Sequence, residues 1–151
     1  MNPTSLGLVI AIAIAVAGVW TLSRERAPPP TTVAGLPDLP ADLVPPPMVE
    51  VVLPASFTPT EVMGERAFTT FCAACHGSNA AGREGIAPPL VHRIYHPAHH
   101  SDEAFHIAAR NGVRAHHWRF GNMPPIEGVT RAEVTTIIAF VRALQRANGI
   151  E

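Results

Sequence analysis

The stretch Cys72-Ala73-Ala74-Cys75-His76 holds both cysteines of the chain, and its reading decides how the rest is understood. Thiols at i and i+3 stand on one side of a helical turn, where they can add to the two vinyl groups of a haem while the adjacent imidazole reaches the iron as an axial ligand. Other chemistries compete for the same residues. A Cys72–Cys75 disulfide would close a very small loop and stabilise little, and a thioredoxin-type redox pair needs a βαβ context that the flanking sequence lacks. Structural zinc needs two further ligands at finger-like spacing, and the later histidines supply no clean second pair. Covalent haem is the reading carried forward.

Working outward, the segments on either side read as helices joined by long loops. Thr58-Pro59-Thr60-Glu61 combines an N-cap, a proline at the first helical position and a capping-box glutamate, and opens a helix through Val62, Ala67, Phe68 and Phe71. That helix delivers Cys72 onto its last turn or just beyond. Ser101-Asp102-Glu103 starts a shorter helix, with Phe105, Ile107 and Ala108 expected inward and Gly112 as the stop. Thr130-Arg131-Ala132-Glu133 is a second capping box, followed by Val134, Ile137, Ile138, Val141 and Leu144 at helical spacing. Arg142 and Arg146 then fall near the negative end of that helix dipole. Nothing reads as a sheet, so the expected fold class is all-α.

On these residues the domain resembles a class I cytochrome c, a small all-helical domain around one covalent haem, over essentially Thr58 to Asn148. Gly64 and Phe68 match the small-then-aromatic pair that in this family crosses the C-terminal helix, with Phe140 at the partner position. A small residue lets two crossing helices approach closely, although ordinary core spacing explains the same residues without any family. Ala87-Pro88-Pro89-Leu90 resembles the proline-leucine loop beneath the proximal histidine. The resemblance implies that the Pro88 carbonyl accepts from the second ring nitrogen of His76, orienting it and raising its basicity, while Leu90 packs on the haem. A plain turn after Gly85 is the alternative reading.

Gly121-Asn122-Met123-Pro124-Pro125 resembles the family's distal methionine loop, 47 residues beyond His76. The resemblance implies Met123 as sixth ligand, a neutral thioether that favours ferrous iron and raises the reduction potential relative to bis-histidine ligation. His116 or His117 as ligand, or an open sixth position, are the alternatives. Arg93, Tyr95, Trp118 and Arg119 flank the two loops and are candidate donors to the haem carboxylates. Seven of the eight histidines follow the motif, at 92, 96, 99, 100, 106, 116 and 117. They read as solvated loop residues, propionate contacts or ligands of an accessory metal, and His92 with His96 has helical ligand spacing only if Pro97 permits a helix there.

The remainder of the 151 residues is accessory. Residues 1–26 contain an apolar run from Ser5 to Ser23 with no ionisable side chain before Arg24, expected as a single transmembrane helix, with a cleaved signal peptide as the alternative. Either reading sends the remainder out of the cytoplasm, although Arg24 and Arg26 just after the span weakly favour the opposite orientation. Residues 27–54 carry nine of the sixteen prolines and are expected to form an extended linker. Residues 55–151 are expected to form the domain that resembles cytochrome c. A formal charge of −1 with no lysine excludes a strongly basic nucleic-acid binder. The resulting expectation is a one-electron carrier with one haem c, not an enzyme, anchored in a bacterial inner membrane with its haem domain in the periplasm. Its partners would be a redox donor and acceptor in or near the membrane. A haem subunit of a redox enzyme with an open sixth position, or a histidine-rich metal-handling or sensing module, is the alternative.

Overall fold

The computed structural model describes residues 44–151. The expected membrane segment at residues 1–26 and the linker up to residue 43 lie outside the described residues. No helix among the described residues is long and apolar enough to cross a membrane.

Four helices and two short 3-10 turns make up the described chain: α1 (Pro59–Phe71), α2 (Ala73–His76), α3 (Asp102–Asn111) and α4 (Arg131–Ala147), with the turns at Ser78–Ala80 and Arg93–Tyr95. Both capping boxes are formed. Thr58 accepts from the Glu61 N–H at 3.3 Å while its own N–H donates to the Glu61 carboxylate at 2.7 Å, and Thr130 and Glu133 repeat the exchange at the start of α4. Cys72 is the C-cap of α1, and Gly112, at φ +73°, ends α3. β-structure among the described residues is confined to two isolated bridges, Arg83 with Ala87 and Val113 with Met123.

The core lies where α1 crosses α4. A Cβ on Gly64 would overlap the Thr136 carbonyl oxygen and sit 2.9 Å from the Phe140 Cβ, so only glycine allows this approach. Phe140 is sandwiched by aromatics, with ring centroids 5.7 Å from Phe68 and 5.4 Å from Phe57. Val134, Ile137, Ile138, Val141 and Leu144 are buried behind it. Gly64→Ala is therefore expected to cost about 2–3 kcal/mol, because the obstructing atom is backbone and the helices must separate. Urea unfolding followed by far-ultraviolet circular dichroism checks this.

Two expectations are corrected here. Ile107, expected inward, is 44% exposed, because it stands about 200° around α3 from Phe105. Arg142 does not simply answer the helix dipole but is buried inside the domain. Its guanidinium donates to the Asp102 carboxylate (2.9 Å), the carbonyls of Tyr95 (2.8 Å) and His100 (2.5 Å), and the Gln145 side-chain oxygen (2.6 Å). Gln145, fully buried, donates in turn to the carbonyls of Leu90 (2.8 Å) and Tyr95 (3.0 Å). One face of α4 thus fixes the loop from Leu90 to His100 through the carbonyls of Leu90, Tyr95 and His100.

Residues at the end of the proline-rich segment also pack on the domain. The N–H groups of Met48 and Val49 donate to the Ala81 carbonyl at 3.1 and 3.2 Å, and Glu84 donates to the Pro46 carbonyl at 3.3 Å. Val52 and the Asn148 side chain exchange two bonds of 2.9 Å. A proline-rich segment makes few internal hydrogen bonds, so its backbone groups are available to the domain, and packing against the domain begins near Pro46, ahead of the expected boundary at Ala55.

Arg146 pairs with Glu61 at 3.0 Å, tying α4 to the start of α1. The Thr58 backbone N–H, aided by the Thr58 hydroxyl and Arg146, holds the Glu61 carboxyl below its ordinary value of 4.5 against the opposing effect of burial. A depressed carboxyl stabilises the fold above its unfolded pKa and loses that contribution as pH falls through the folded value. Glu61→Ala is expected to cost about 1–2 kcal/mol at neutral pH, and the gap to the parent should close below pH 4.5. Thermal unfolding at a series of pH values measures it.

Candidate haem-attachment site

The motif occupies the corner between α1 and α2. Cys75 and His76 both donate backbone N–H bonds to the Cys72 carbonyl, at 3.1 and 2.9 Å, so the five residues form one helical turn. Cys72 is half-buried, Cys75 is exposed, and both thiols are free. Burial, with a smaller effect from Cys75, pushes the Cys72 thiol up to about 12, which keeps it protonated.

His76 is buried, and its Nδ1 lies 2.9 Å from the Pro88 carbonyl oxygen. A carbonyl only accepts, so Nδ1 carries the proton and Nε2 presents its lone pair. Burial lowers the imidazole pKa, partly offset by the Pro88 carbonyl, and the balance leaves a neutral ring. The Pro88 loop is held close to the motif: the Gly82 N–H donates to the His76 carbonyl at 2.7 Å and the Leu90 N–H to the Ala80 carbonyl at 2.9 Å. Gly82 is at φ +75°, and a Cβ there would lie 2.6 Å from the Pro89 nitrogen. Leu90 is half-buried against the core.

Met123 is placed through backbone. It exchanges two bonds with Val113, at 2.9 and 3.0 Å, while Ile126 donates to the Ala109 carbonyl at 2.8 Å. A Cβ on Gly112 would meet the Met123 carbonyl at 2.5 Å. The Asn122 side chain accepts from the Ala115 N–H at 2.9 Å, which gives it a role within the loop. The distal loop is therefore fastened to the end of α3, with the Met123 side chain half-buried.

Tyr95 and Trp118 come together, whereas Arg93 and Arg119 are exposed. Burial raises the Tyr95 phenol, and the Trp118 indole Nε1 is buried without a hydrogen-bond partner. A buried orphan donor costs about 1–3 kcal/mol, and a haem carboxylate is an acceptor that would relieve it. With two free thiols on one turn and an imidazole whose Nε2 is unspent, the donor set fits haem c.

His92 and His96 do not form a ligand pair. His92 caps the Arg93–Tyr95 turn by accepting from the Ile94 N–H at 3.3 Å and sets its ring edge-on to Trp118, 5.3 Å away. His96 stacks on His99. His99, His100, His116 and His117 crowd together, and burial with neighbouring imidazoles holds His100 and His117 below the ordinary value. Sequence reasoning missed Arg142 and Gln145. Gln145 lies four residues after Val141, on the buried stripe of α4, and an amide there was the available signal.

The family model described as Cytochrome c matches residues 62–145, which is more than half of the 151 residues. The chain belongs to the cytochrome c family. Membership carries a covalently bound haem c and haem-based electron transfer, so the protein is an electron carrier. No curated protein and no solved structure matches the chain.

Proposed function

We propose that the protein is a class I cytochrome c with a single haem, held at a bacterial inner membrane by its N-terminal segment and passing electrons between redox proteins in or near that membrane from the periplasmic side. The observation that supports the haem assignment is the 2.9 Å bond between His76 Nδ1 and the Pro88 carbonyl, which leaves the other ring nitrogen free to ligate iron. The haem, when bound, supplies reversible one-electron chemistry.

The chain's own groups do the rest. Cys72 and Cys75 each add S–H across a vinyl double bond, sulfur to one carbon and hydrogen to the other, so attachment needs no oxidant. Pro88 fixes the plane and proton of the His76 ring, and His76 and Met123 are the side chains that would hold the iron. With both residues bound, the iron would have no position for a substrate, as suits a carrier rather than an oxygen- or peroxide-handling enzyme. Trp118, whose indole nitrogen is unpartnered, and Tyr95 would supply donors to the haem carboxylates. A tether raises the local concentration of membrane partners, so a small, weak interface suffices. With nine arginines and no lysine in residues 55–151, docking relies on guanidinium and apolar contacts.

Fractionation of cells producing the full chain tests the membrane placement. The haem protein is expected to sediment with membranes, to need detergent for release, and to be cleaved by protease added to spheroplasts. Recovery in the soluble fraction after osmotic shock, or protection from the protease, would overturn it.

A further inference from the structure

A second group of ligands gathers away from the Cys72–His76 turn. His99 and His100 close the turn that follows Pro97, and His117 reaches them from the loop before Trp118. One ring nitrogen from each lies within 4.8 Å of the other two. We propose that His99, His100 and His117 form a second metal site, one that binds a divalent ion of zinc's kind in tetrahedral geometry, with water in the fourth position.

The spacing supports the geometry. The Nε2 atoms of His99 and His117 are 3.4 Å apart, long for a nitrogen–nitrogen hydrogen bond. Two nitrogens bound at ~2.0–2.1 Å to a tetrahedral ion stand about 3.3–3.4 Å apart. Adjacent ligands of a square-planar ion would stand at about 2.8 Å, closer than this pair. An all-imidazole set disfavours magnesium and calcium, which take oxygen ligands.

The third ligand is already oriented. His100 Nδ1 lies 2.8 Å from the Ile94 carbonyl, so the proton sits on Nδ1 and the Nε2 lone pair is free. This repeats the arrangement of His76 on Pro88, the hydrogen bond that metal-binding histidines ordinarily make with their second nitrogen. The turn beneath is braced, since the N–H groups of His99 and His100 both donate to the His96 carbonyl and Arg142 holds the His100 carbonyl. His99 and His117 are exposed, so an ion has open access. A bound ion would join the His96–Ser101 turn to the loop that leads to Met123, two segments otherwise linked here only through side chains.

The test uses the full-length protein with haem attached, stripped with a chelator and titrated with zinc by calorimetry, with retained metal counted after dialysis. One zinc per haem at micromolar affinity or tighter is expected. Affinity should fall ~100-fold or more in the His99→Ala/His117→Ala double variant, a larger loss than outer-shell changes cause. His106→Ala, outside the cluster, should bind like the parent. The haem spectrum reports whether each variant is folded, and single His99→Gln and His117→Gln substitutions at these exposed positions serve if the double variant is not. Absence of stoichiometric zinc in the parent, or equal binding by folded variants, would overturn the site. The readout is zinc bound, so the result is read separately from the haem potential and its response to carbon monoxide.

Discussion

Replacing Met123 with alanine is expected to lower the reduction potential by on the order of 0.1 V or more, a modest part of the ~0.8 V that axial ligation spans. The reduced iron should at the same time become reactive toward carbon monoxide. As the sixth ligand, the thioether would be a neutral, soft donor stabilising ferrous over ferric iron, and its loss would remove that preference. The fold should survive. The loop is positioned by the paired backbone bonds between Val113 and Met123, by the close approach of Gly112 to the Met123 carbonyl, and by Asn122 on Ala115, none of which involves the methionine side chain. An unchanged potential would transfer the sixth-ligand role to another side chain, with His116 and His117 next in line. A histidine at position 123 should again exclude carbon monoxide but leave the potential low.

The second large effect falls on stability. Arg142→Met is expected to cost about 3–5 kcal/mol, since the His100 carbonyl and the buried Gln145 side-chain oxygen each lose a donor at ~1–3 kcal/mol. The guanidinium also lies 5.0 Å over the Phe105 ring, a contact methionine replaces only in part. Asp102, on the exposed side, exchanges its partner for water and contributes little. Lysine should not rescue the loss, because a point charge cannot reach four acceptors that the planar fork meets at once. Denaturant unfolding of the holoprotein gives the magnitude. Proteolysis between Leu90 and His100 should accelerate in step, since that loop hangs from Arg142 and Gln145.

The helices and the motif are legible because their signals are local. Capping boxes at Thr58 and Thr130 and the stop at Gly112 are written within a few residues of each helix end, and Pro59 at the first helical position reinforces the start of α1. Gly64 is legible for a different reason: a glycine inside a helix loses about 1 kcal/mol against alanine and needs a packing reason, here the Thr136 carbonyl. Ile107 misleads because a short helix with few apolar residues does not fix its phase. Arg142 looks like a surface charge because nothing local reveals that the Leu90–His100 loop, some fifty residues earlier in the chain, lacks partners for its carbonyls. The same holds for the Pro46–Val52 strap, whose acceptors on Ala81 and Asn148 are remote in sequence. The histidine cluster is likewise assembled from two loops, so its convergence is a property of the fold.

The most direct test of the central claim is an optical redox titration of the full-length protein, with and without carbon monoxide. The account predicts a low-spin spectrum with a thioether-to-iron band in the oxidised state, a single one-electron transition at positive potential, and no change on adding carbon monoxide. A high-spin spectrum, or a potential that shifts when carbon monoxide is present, would contradict it by showing that the position assigned to Met123 is open.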